Sequence, residues 1–224
     1  MKIIVVCPTR GIILTEAQSS LDRELAKNRQ IPIIIRSHDI PLPASRNYLV
    51  ETALKMPDWT HILLVDDDVI LPEGALKELI KLNCDVAVMN YPARYLGEDA
   101  SLGTVVYDKD KSVAWAGLGC VLVKRKVFET LAQPWFVFTN YKILRDNEGR
   151  IGFFAGQREE TLKFSGGEDV HFFLQCRKAK FSIKVAKKTA THCYLERIVS
   201  PVSNMRYQMQ HKIVKKDKIE RQMI

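Results

Sequence analysis

Short apolar runs alternate with helical segments in the amino-terminal part of the chain, and this alternation constrains the fold more than any other feature. Strand-like apolar runs occupy 3–6, 31–35, 61–65 and 85–89, with helical periodicity between them at 15–28, 41–54 and 73–82. Repeated units of this length favour a mostly parallel central sheet with helices on both faces. The sequence therefore predicts an α/β fold.

The later part of the chain departs from this regular alternation. The pattern predicts a small antiparallel hairpin at 103–107 and 112–115, a strand running into a helix at 117–131, a helix at 168–179 and a strand at 181–185. Residues 145–167 are polar and punctuated by glycines, which is typical of a long functional or mobile loop.

The carboxyl-terminal segment carries the positive charge. Residues 177–224 hold 13 Lys and Arg against 3 acidic residues, in a chain whose net charge is +8. From residue 201, Val202, Met205, Met209 and Ile213 recur at spacings of three and four, which predicts a basic amphipathic helix. We therefore divide the chain into a domain at 1–200 and a C-terminal helix at 201–224. That helix would pack on the domain or extend from it to make a peripheral contact with anionic lipid.

Three adjacent aspartates, Asp66 to Asp68, follow the apolar run at 61–65 directly. They are expected at the carboxyl end of a central strand, the edge where ligands bind in open α/β sheets. Side chains alternate on an extended segment, so Asp66 and Asp68 share one face and Asp67 points away. Like charges this close require hydrogen-bond donors or a cation, and a divalent metal is the simplest solution.

Four stretches, taken together, resemble GT-A fold glycosyltransferases of the family 2 type. They are IIVVCPTRG, VDDDV, GEDVHFFLQCRKAKFSIKV and THC, and the resemblance covers about residues 3 to 193. It implies a Rossmann-like GT-A sheet and the transfer of a sugar from a nucleotide sugar, a UDP-sugar, to an acceptor hydroxyl with inversion. Mn²⁺ or Mg²⁺ would be the cofactor, and the acceptor would be a glycan, a lipid-linked molecule or a protein.

The resemblance also implies roles for single residues. Asp68 would bind the metal, Asp66 would reach the metal or the ribose, and His192 would supply a further ligand. Asp169 occupies the position of the catalytic base, with Glu168 as its rival, and one of the two can cap the helix that begins there. The expected nucleotide-binding residues are Pro8, Thr9, Arg10, Arg46, Asn47, Asp66 and Asp67.

The expected sugar-binding residues combine small and aromatic side chains. Gly117 and Gly119 would let a sugar approach the backbone closely. Trp115 and Trp135 would form an apolar platform for the acceptor, although the core is the alternative position for at least one of these aromatics. Arg10-Gly11 departs from the aromatic-polar pair usual in the family, which leaves the nucleotide base open.

Composition excludes several classes of protein. No apolar run approaches the roughly 18 to 20 residues of a membrane helix, and the amino terminus lacks the apolar core of a signal peptide, so we expect a cytoplasmic protein. The 5 cysteines are odd in number and widely spaced, which favours reduced core thiols. A zinc site at His171, Cys176, His192 and Cys193 fits no usual ligand spacing.

Two other functions compete with glycosyl transfer. Nucleotidyltransferases use similar sheets with acidic metal ligands, but they carry a glycine-rich basic loop after the first strand, where this chain offers only Arg10 and Gly11. A non-enzymatic basic module would bind nucleic acid or a membrane through the C-terminal segment. That segment lacks interleaved aromatics beyond Tyr194 and Tyr207, so nucleic acid is not the expected partner. A non-enzymatic function would also give no reason for the acidic residues at 66–68 and 168–169.

Overall fold

The computed structural model describes most of the chain. It covers residues 1–9, 11, 13–29, 34–37, 41–92, 103–138, 142–145, 151–152, 162–163, 167–203 and 206–216. For 34–37, 142–145, 151–152, 162–163, 194–203 and 206–216 it describes the backbone alone.

Strands and helices alternate along the described residues. In chain order they are β1 (Ile3–Pro8), α1 (Thr15–Lys27), β2 (Ile34–Ser37), α2 (Leu42–Leu54), β3 (His61–Val65), β4 (Val69–Ile70), α3 (Ala75–Lys81), β5 (Val86–Asn90), β6 (Val106–Tyr107), β7 (Val113–Trp115), β8 (Cys120–Lys124), α4 (Arg125–Thr130), β9 (Lys142–Arg145), β10 (Ile151–Gly152), β11 (Leu162–Lys163), α5 (Glu168–Lys178), β12 (Ile183–Thr189), β13 (Thr191–Ser203) and β14 (Arg206–Lys216).

A six-stranded mixed sheet forms the centre of the fold, in the order β12-β5-β8-β3-β1-β2. Strands β2, β1 and β3 are parallel neighbours, and β12 is parallel to β5. Strand β8 lies between β3 and β5 and runs antiparallel to both. The expected α/β class is present, but the sheet is mixed, so the prediction of a mostly parallel sheet is not confirmed. Strand β3, which the aspartates follow, is an interior strand as predicted.

Two apolar clusters cover the two faces of this sheet. Ile4 and Val6 of β1 belong to one cluster together with residues of α2, α4 and α5, whereas Ile3 and Val5 belong to the other with residues of α1 and α3. Successive side chains of a strand point to opposite faces, so this division follows from the unbroken apolar run of a strand covered on both sides. The helices therefore flank the sheet on both faces.

A buried glutamate joins two of the helices. Glu24 of α1 is fully buried, and its carboxylate accepts hydrogen bonds from the backbone N–H groups of Gly74 at 2.9 Å and Leu76 at 3.1 Å. These N–H groups lie at the start of α3, where a helix has no internal acceptors for them. Glu24 thus caps a helix that is distant in sequence, and it fixes α1 against α3.

Smaller sheets accompany the central one. The predicted hairpin is confirmed by β6 and β7, which pair antiparallel. Within the predicted loop at 145–167, β10 and β11 each pair with β9, and the other residues between 146 and 166 lie outside the described part of the chain.

The prediction of a C-terminal helix is wrong over the described residues. Strands β13 and β14 pair antiparallel from His192–Lys216 to Ser203–Arg206, and β13 continues through residue 201. Met209 and Ile213, four residues apart, fit a period of two as well as a helical spacing, and pairing with the preceding strand β13 decides between the periods. Membrane contact through a helix at 206–216 loses its structural basis, and 217–224 lie outside the described residues.

The 5 cysteines are buried and none is in a disulfide, as predicted for reduced core thiols. Burial raises the pKa of Cys120 to about 12. Such a thiol behaves as a small apolar side chain. In the described part of the chain, no helix has both the length and the apolarity needed to cross a membrane.

Candidate active site

The three aspartates follow β3 at the carboxyl end of the central strands, and backbone contacts hold them in place. The N–H of Asp66 donates to the carbonyl of Gly119 at 3.1 Å, before β8. The carbonyl of Asp68 accepts from the N–H of Cys193 at 2.8 Å. Because β4 then pairs with β13, with Val69 opposite His192, the histidine predicted from sequence is brought beside the aspartates.

Arg46 lies at the centre of the site and is buried, with 2 % of its surface exposed. Its Nη2 donates to Asp66 Oδ1 at 2.6 Å, and its Nη1 donates to Glu168 Oε1. Helix α2 thereby connects the end of β3 with the start of α5. The guanidinium Nε finds no acceptor among the described residues, although it is buried.

Glu168 and Asp169 open α5 and have different environments. Glu168 is buried and paired with Arg46, whereas Asp169 is only partly buried. Asp169 Oδ1 accepts the N–H of Val170 at 2.8 Å, so it satisfies one backbone donor in the first turn of the helix, whose N-cap position is Gly167. Burial raises the pKa of Asp169 above its ordinary value, against the opposing effects of the Val170 hydrogen bond and the Arg46 charge.

A Cβ at Gly167 would collide with the Asp169 carboxylate. A larger residue before α5 would therefore displace the Asp169 side chain from this position.

His192 and Asp68 face each other at the same edge. His192 Nε2 lies 3.5 Å from Asp68 Oδ2, and its Nδ1 lies 2.9 Å from the carbonyl of Pro92. A carbonyl can only accept, so Nδ1 carries the proton and Nε2 is directed at Asp68. The pKa of His192 lies above its ordinary value: burial lowers it, but the hydrogen bond and charge of Asp68, the hydrogen bond to Pro92 and the charge of Asp66 together outweigh burial.

Tyr91 is a residue of this site that the sequence interpretation missed. It follows β5, is buried, and its hydroxyl accepts the N–H of Gly119 at 2.9 Å. Burial, followed by the negative charge of Asp66, raises the pKa of Tyr91 well above its ordinary value. Its position directly after a central strand could have identified it as a site residue from the sequence, since residues at strand ends share the ligand-binding edge.

Gly117 and Gly119 have a different role from the one predicted. A Cβ at Gly119 would lie 2.7 Å from the Tyr91 hydroxyl and 3.0 Å from Asp66 Oδ2, and a Cβ at Gly117 would collide with the same hydroxyl. The space beside these glycines is therefore filled by Tyr91, and it is not open to a sugar.

Two of the predicted binding residues are structural. Trp135 is 1 % exposed and its Nε1 donates to the carbonyls of Phe128 and Leu131, so it belongs to the core and forms no acceptor platform. Asn47 uses its amide on backbone atoms of Pro43, Trp135 and Phe136. Neither residue was distinguishable from a ligand-binding one without knowledge of its burial or partners.

The other predicted positions differ in how near the site they lie. Pro8 ends β1 beside β2, and Thr9 follows it with its Oγ1 accepting the N–H of Gly11 at 3.1 Å. Asp67 is buried, and its carbonyl accepts the N–H of Leu14 at 3.4 Å, on the side towards α1. Trp115 is partly buried against the core. Arg10 lies outside the described residues.

A divalent cation is compatible with part of the predicted ligand set. Asp68 and His192 offer a carboxylate oxygen and an imidazole nitrogen to the same space, and the hydrogen bond from His192 Nδ1 orients its Nε2 as metal-ligating histidines are oriented. Asp66 is already paired with Arg46. Within the part of the chain that the structure describes, no three His, Cys, Asp or Glu residues form a metal cluster, so oxygens of water or substrate would have to complete the coordination.

Comparison with known proteins supports the fold of this chain but assigns it to no family. No family model matches the chain, and no curated protein matches it. Among solved structures, A197 from STIV is similar with a TM-score of 0.56 and 19 % identity, over 99 % of this chain and 97 % of that one. A glycosyltransferase involved in the glycosylation of the major capsid of PBCV-1 matches 58 % of this chain and 63 % of its own, at 13 % identity and a TM-score of 0.36, a value that establishes no common fold.

Proposed function

We propose that the protein is a metal-dependent glycosyltransferase that moves a sugar from a nucleotide sugar, a UDP-sugar, to an acceptor hydroxyl with inversion. The acceptor would be a glycan, a lipid-linked molecule or a protein. The proposal joins the sequence resemblance to the chemistry of the residues around Arg46.

One observation carries the proposal: the buried Arg46 contacts both Asp66 and Glu168. Through it, the acidic end of β3 and the start of α5 meet at a single site. Glycosyl transfer requires two kinds of group close together, namely groups that bind the leaving diphosphate and a base that faces the acceptor. Asp68 with His192 is suited to the first task and Asp169 to the second.

Asp169 is a better candidate for the base than Glu168. The charge of Glu168 is already satisfied by a buried guanidinium, and breaking that pair would leave an unpaired buried charge. Asp169 is partly exposed, and its raised pKa makes it a stronger proton acceptor than an ordinary aspartate. In the proposed reaction, the acceptor hydroxyl gives its proton to the Asp169 carboxylate while its oxygen bonds to the anomeric carbon. The bond between that carbon and the diphosphate oxygen breaks, and the nucleoside diphosphate leaves with the electron pair.

Mn²⁺ or Mg²⁺, when bound by Asp68 and His192, would supply positive charge to the diphosphate. Arg46 holds Asp66 in place and offsets its charge. The roles of Pro8, Thr9 and Arg10 beside the nucleotide and of Trp115 beside the acceptor remain part of the proposal.

The test is a titration of the full chain with a panel of nucleotide sugars, with and without Mn²⁺, followed by calorimetry and thermal melting. We expect one nucleotide sugar to bind in a metal-dependent way and to release nucleoside diphosphate when an acceptor is added. Preferential binding of a nucleoside triphosphate with release of pyrophosphate would replace the proposal by a nucleotidyltransferase. Absence of metal-dependent binding to every member of the panel would refute it.

A further inference from the structure

A groove of about 620 Å³ opens away from the candidate active site. It lies between the carboxyl-terminal end of α5, the first residues of β12 and the β6–β7 hairpin. Ile183 in the groove pairs with Val86 at the start of β5, whereas the candidate active site lies beyond the other end of that strand. The 11 residues of α5 separate its two ends by about 16 Å, so the groove and the site are distinct.

The groove is positively charged. Four cationic side chains line it, Lys111, Arg177, Lys180 and Lys184, and no acidic residue does. Arg177 is paired with Asp108 at 2.9 Å. Lys184 donates to the backbone carbonyl of Leu82, which leaves its charge uncompensated. In the described part of the chain, neither Lys111, Lys180 nor Lys184 forms an ion pair with a carboxylate.

Two of these lysines occupy backbone positions that do not favour lysine. Lys111 has φ 66° in the hairpin turn and Lys180 has φ 59° directly beyond α5. Both are left-handed conformations, where glycine is the least strained residue. The chain thus keeps a positive charge on the groove at two points where glycine would be the least strained residue. Arg29, Asp58 and Asn83 also have positive φ but do not line the groove, so this conformation by itself does not mark it.

The remaining surface of the groove is apolar and partly aromatic. Tyr107 and Phe181 line it, and both are partly buried against the core, which limits their motion. Flat aromatic faces bind the ring of a sugar or a nucleobase, while ammonium groups bind phosphate. The two kinds of surface lie side by side in one groove.

We propose that this groove binds a small phosphate-bearing ligand, with its ring against Tyr107 and Phe181 and its phosphate near Lys111 and Lys180. A sugar phosphate and a nucleoside monophosphate both carry this chemistry. The inference is independent of the proposed glycosyl transfer, since it uses none of the residues of the candidate active site.

Calorimetry of the full chain tests the proposal, with glucose 1-phosphate and UMP as separate probes and inorganic phosphate as the baseline, in buffer that contains a metal chelator. We expect one probe to bind more tightly than inorganic phosphate, and less tightly as salt is added. The double variant Lys111→Gly/Lys180→Gly should lower its affinity about tenfold, the effect of two partly screened charge pairs. Its melting temperature should not fall, because glycine relieves the backbone at both positions.

Arg29→Gly is the matched control for Lys180→Gly. Arg29 has φ 53° directly beyond α1 and, like Lys180, donates its N–H to the carbonyl three residues earlier. It does not line the groove. Its replacement removes the same charge and the same strain, so the affinity should stay at the wild-type value.

Three results would overturn the proposal: probes that bind no better than inorganic phosphate, glycine variants that bind like the wild type, or an equal loss in Arg29→Gly. UMP binding that is lost in Asp68→Ala and kept in the double variant would assign UMP to the candidate active site. That outcome would refute the groove as its site and leave the proposed function intact.

Discussion

The buried guanidinium of Arg46 donates a hydrogen bond to the carboxylate of Glu168, from a position 122 residues earlier in the chain. The same guanidinium also donates to Asp66. Two acidic side chains from different elements therefore depend on one cation for their charge balance. In Arg46→Ala, both carboxylates would lose that partner.

We expect Arg46→Ala to lower the free energy of unfolding by about 3 to 5 kcal/mol, the usual effect of breaking a buried ion pair from one side. Urea denaturation followed by circular dichroism measures this loss. The double variant Arg46→Ala/Glu168→Gln should be less destabilised than the sum of its two single variants, because the second change removes a charge that the first leaves unpaired. Strictly additive losses would mean that the pair does not contribute as a unit.

Asp169→Asn is expected to keep donor binding and to lower turnover by a factor on the order of 100 to 10,000, the range for a lost general base. The shape of the side chain changes little, but its basicity is removed. Steady-state rates combined with donor calorimetry separate the two effects. Glu168→Gln serves as the comparison: if it abolished turnover while Asp169→Asn retained the full rate, the two roles would be reversed.

Asp68→Ala is expected to abolish Mn²⁺-dependent binding of a nucleoside diphosphate, because it removes a carboxylate that faces His192. Calorimetry with and without Mn²⁺ detects the loss, and the melting temperature reports whether the fold survives. An unchanged affinity and an unchanged metal dependence would remove Asp68 from the proposed ligand set.

Glu24→Ala should destabilise the protein by about 2 to 4 kcal/mol, since two backbone N–H groups at the start of α3 lose a charged acceptor in a buried position. Chemical denaturation gives the value. Asp22→Ala, at an exposed position of the same helix, provides the control and should change stability by less than about 0.5 kcal/mol. Equal effects of the two substitutions would contradict the capping role.

Burial, followed by the positive charges of Lys124 and of the amino terminus, lowers the pKa of His61 below 6.5. Between the lowered value and 6.5, the unfolded chain binds more protons at this position than the folded protein does. This residue therefore makes stability fall as the pH drops below about 6.5. Unfolding free energies at about pH 5.5 and about pH 7.5 should differ less in His61→Asn than in the wild type. A larger difference in the variant would reverse the sign and contradict the prediction.

Local sequence patterns predicted the central elements well, because the signals are contained within each segment. The apolar run at 61–65 coincides with β3, and the predicted helix at 168–179 differs from α5 by one residue. The aspartates could be placed at the edge of the sheet because a strand end lies at that edge in any open α/β fold. The α/β class follows from such patterns, but the antiparallel position of β8 between β3 and β5 does not.

Features that depend on distant residues were not predictable from the sequence. The pairing of Arg46 with Glu168 and the filling of the space beside Gly119 by Tyr91 require the tertiary fold. Trp135 and Asn47 are residue types that often bind ligands. In this structure, however, both side chains form hydrogen bonds with backbone atoms and stabilise the fold. The segment at 206–216 fits two periods, and its pairing with the preceding strand β13 decides between them.

The position of β8 constrains the order in which the protein can assemble during synthesis. Residues 61–65 and 86–90 form the strands on either side of it, but β8 itself is made only at 120–124. Until the ribosome has released that segment, β3 has one unpaired apolar edge. Strand β5 then lacks both of its neighbours, because β12 is made still later, at 183–189. Emerging chains of this kind are prone to aggregate and are typical clients of chaperones. The antiparallel strand in the middle of the sheet thus makes folding of the amino-terminal half wait for the middle of the chain.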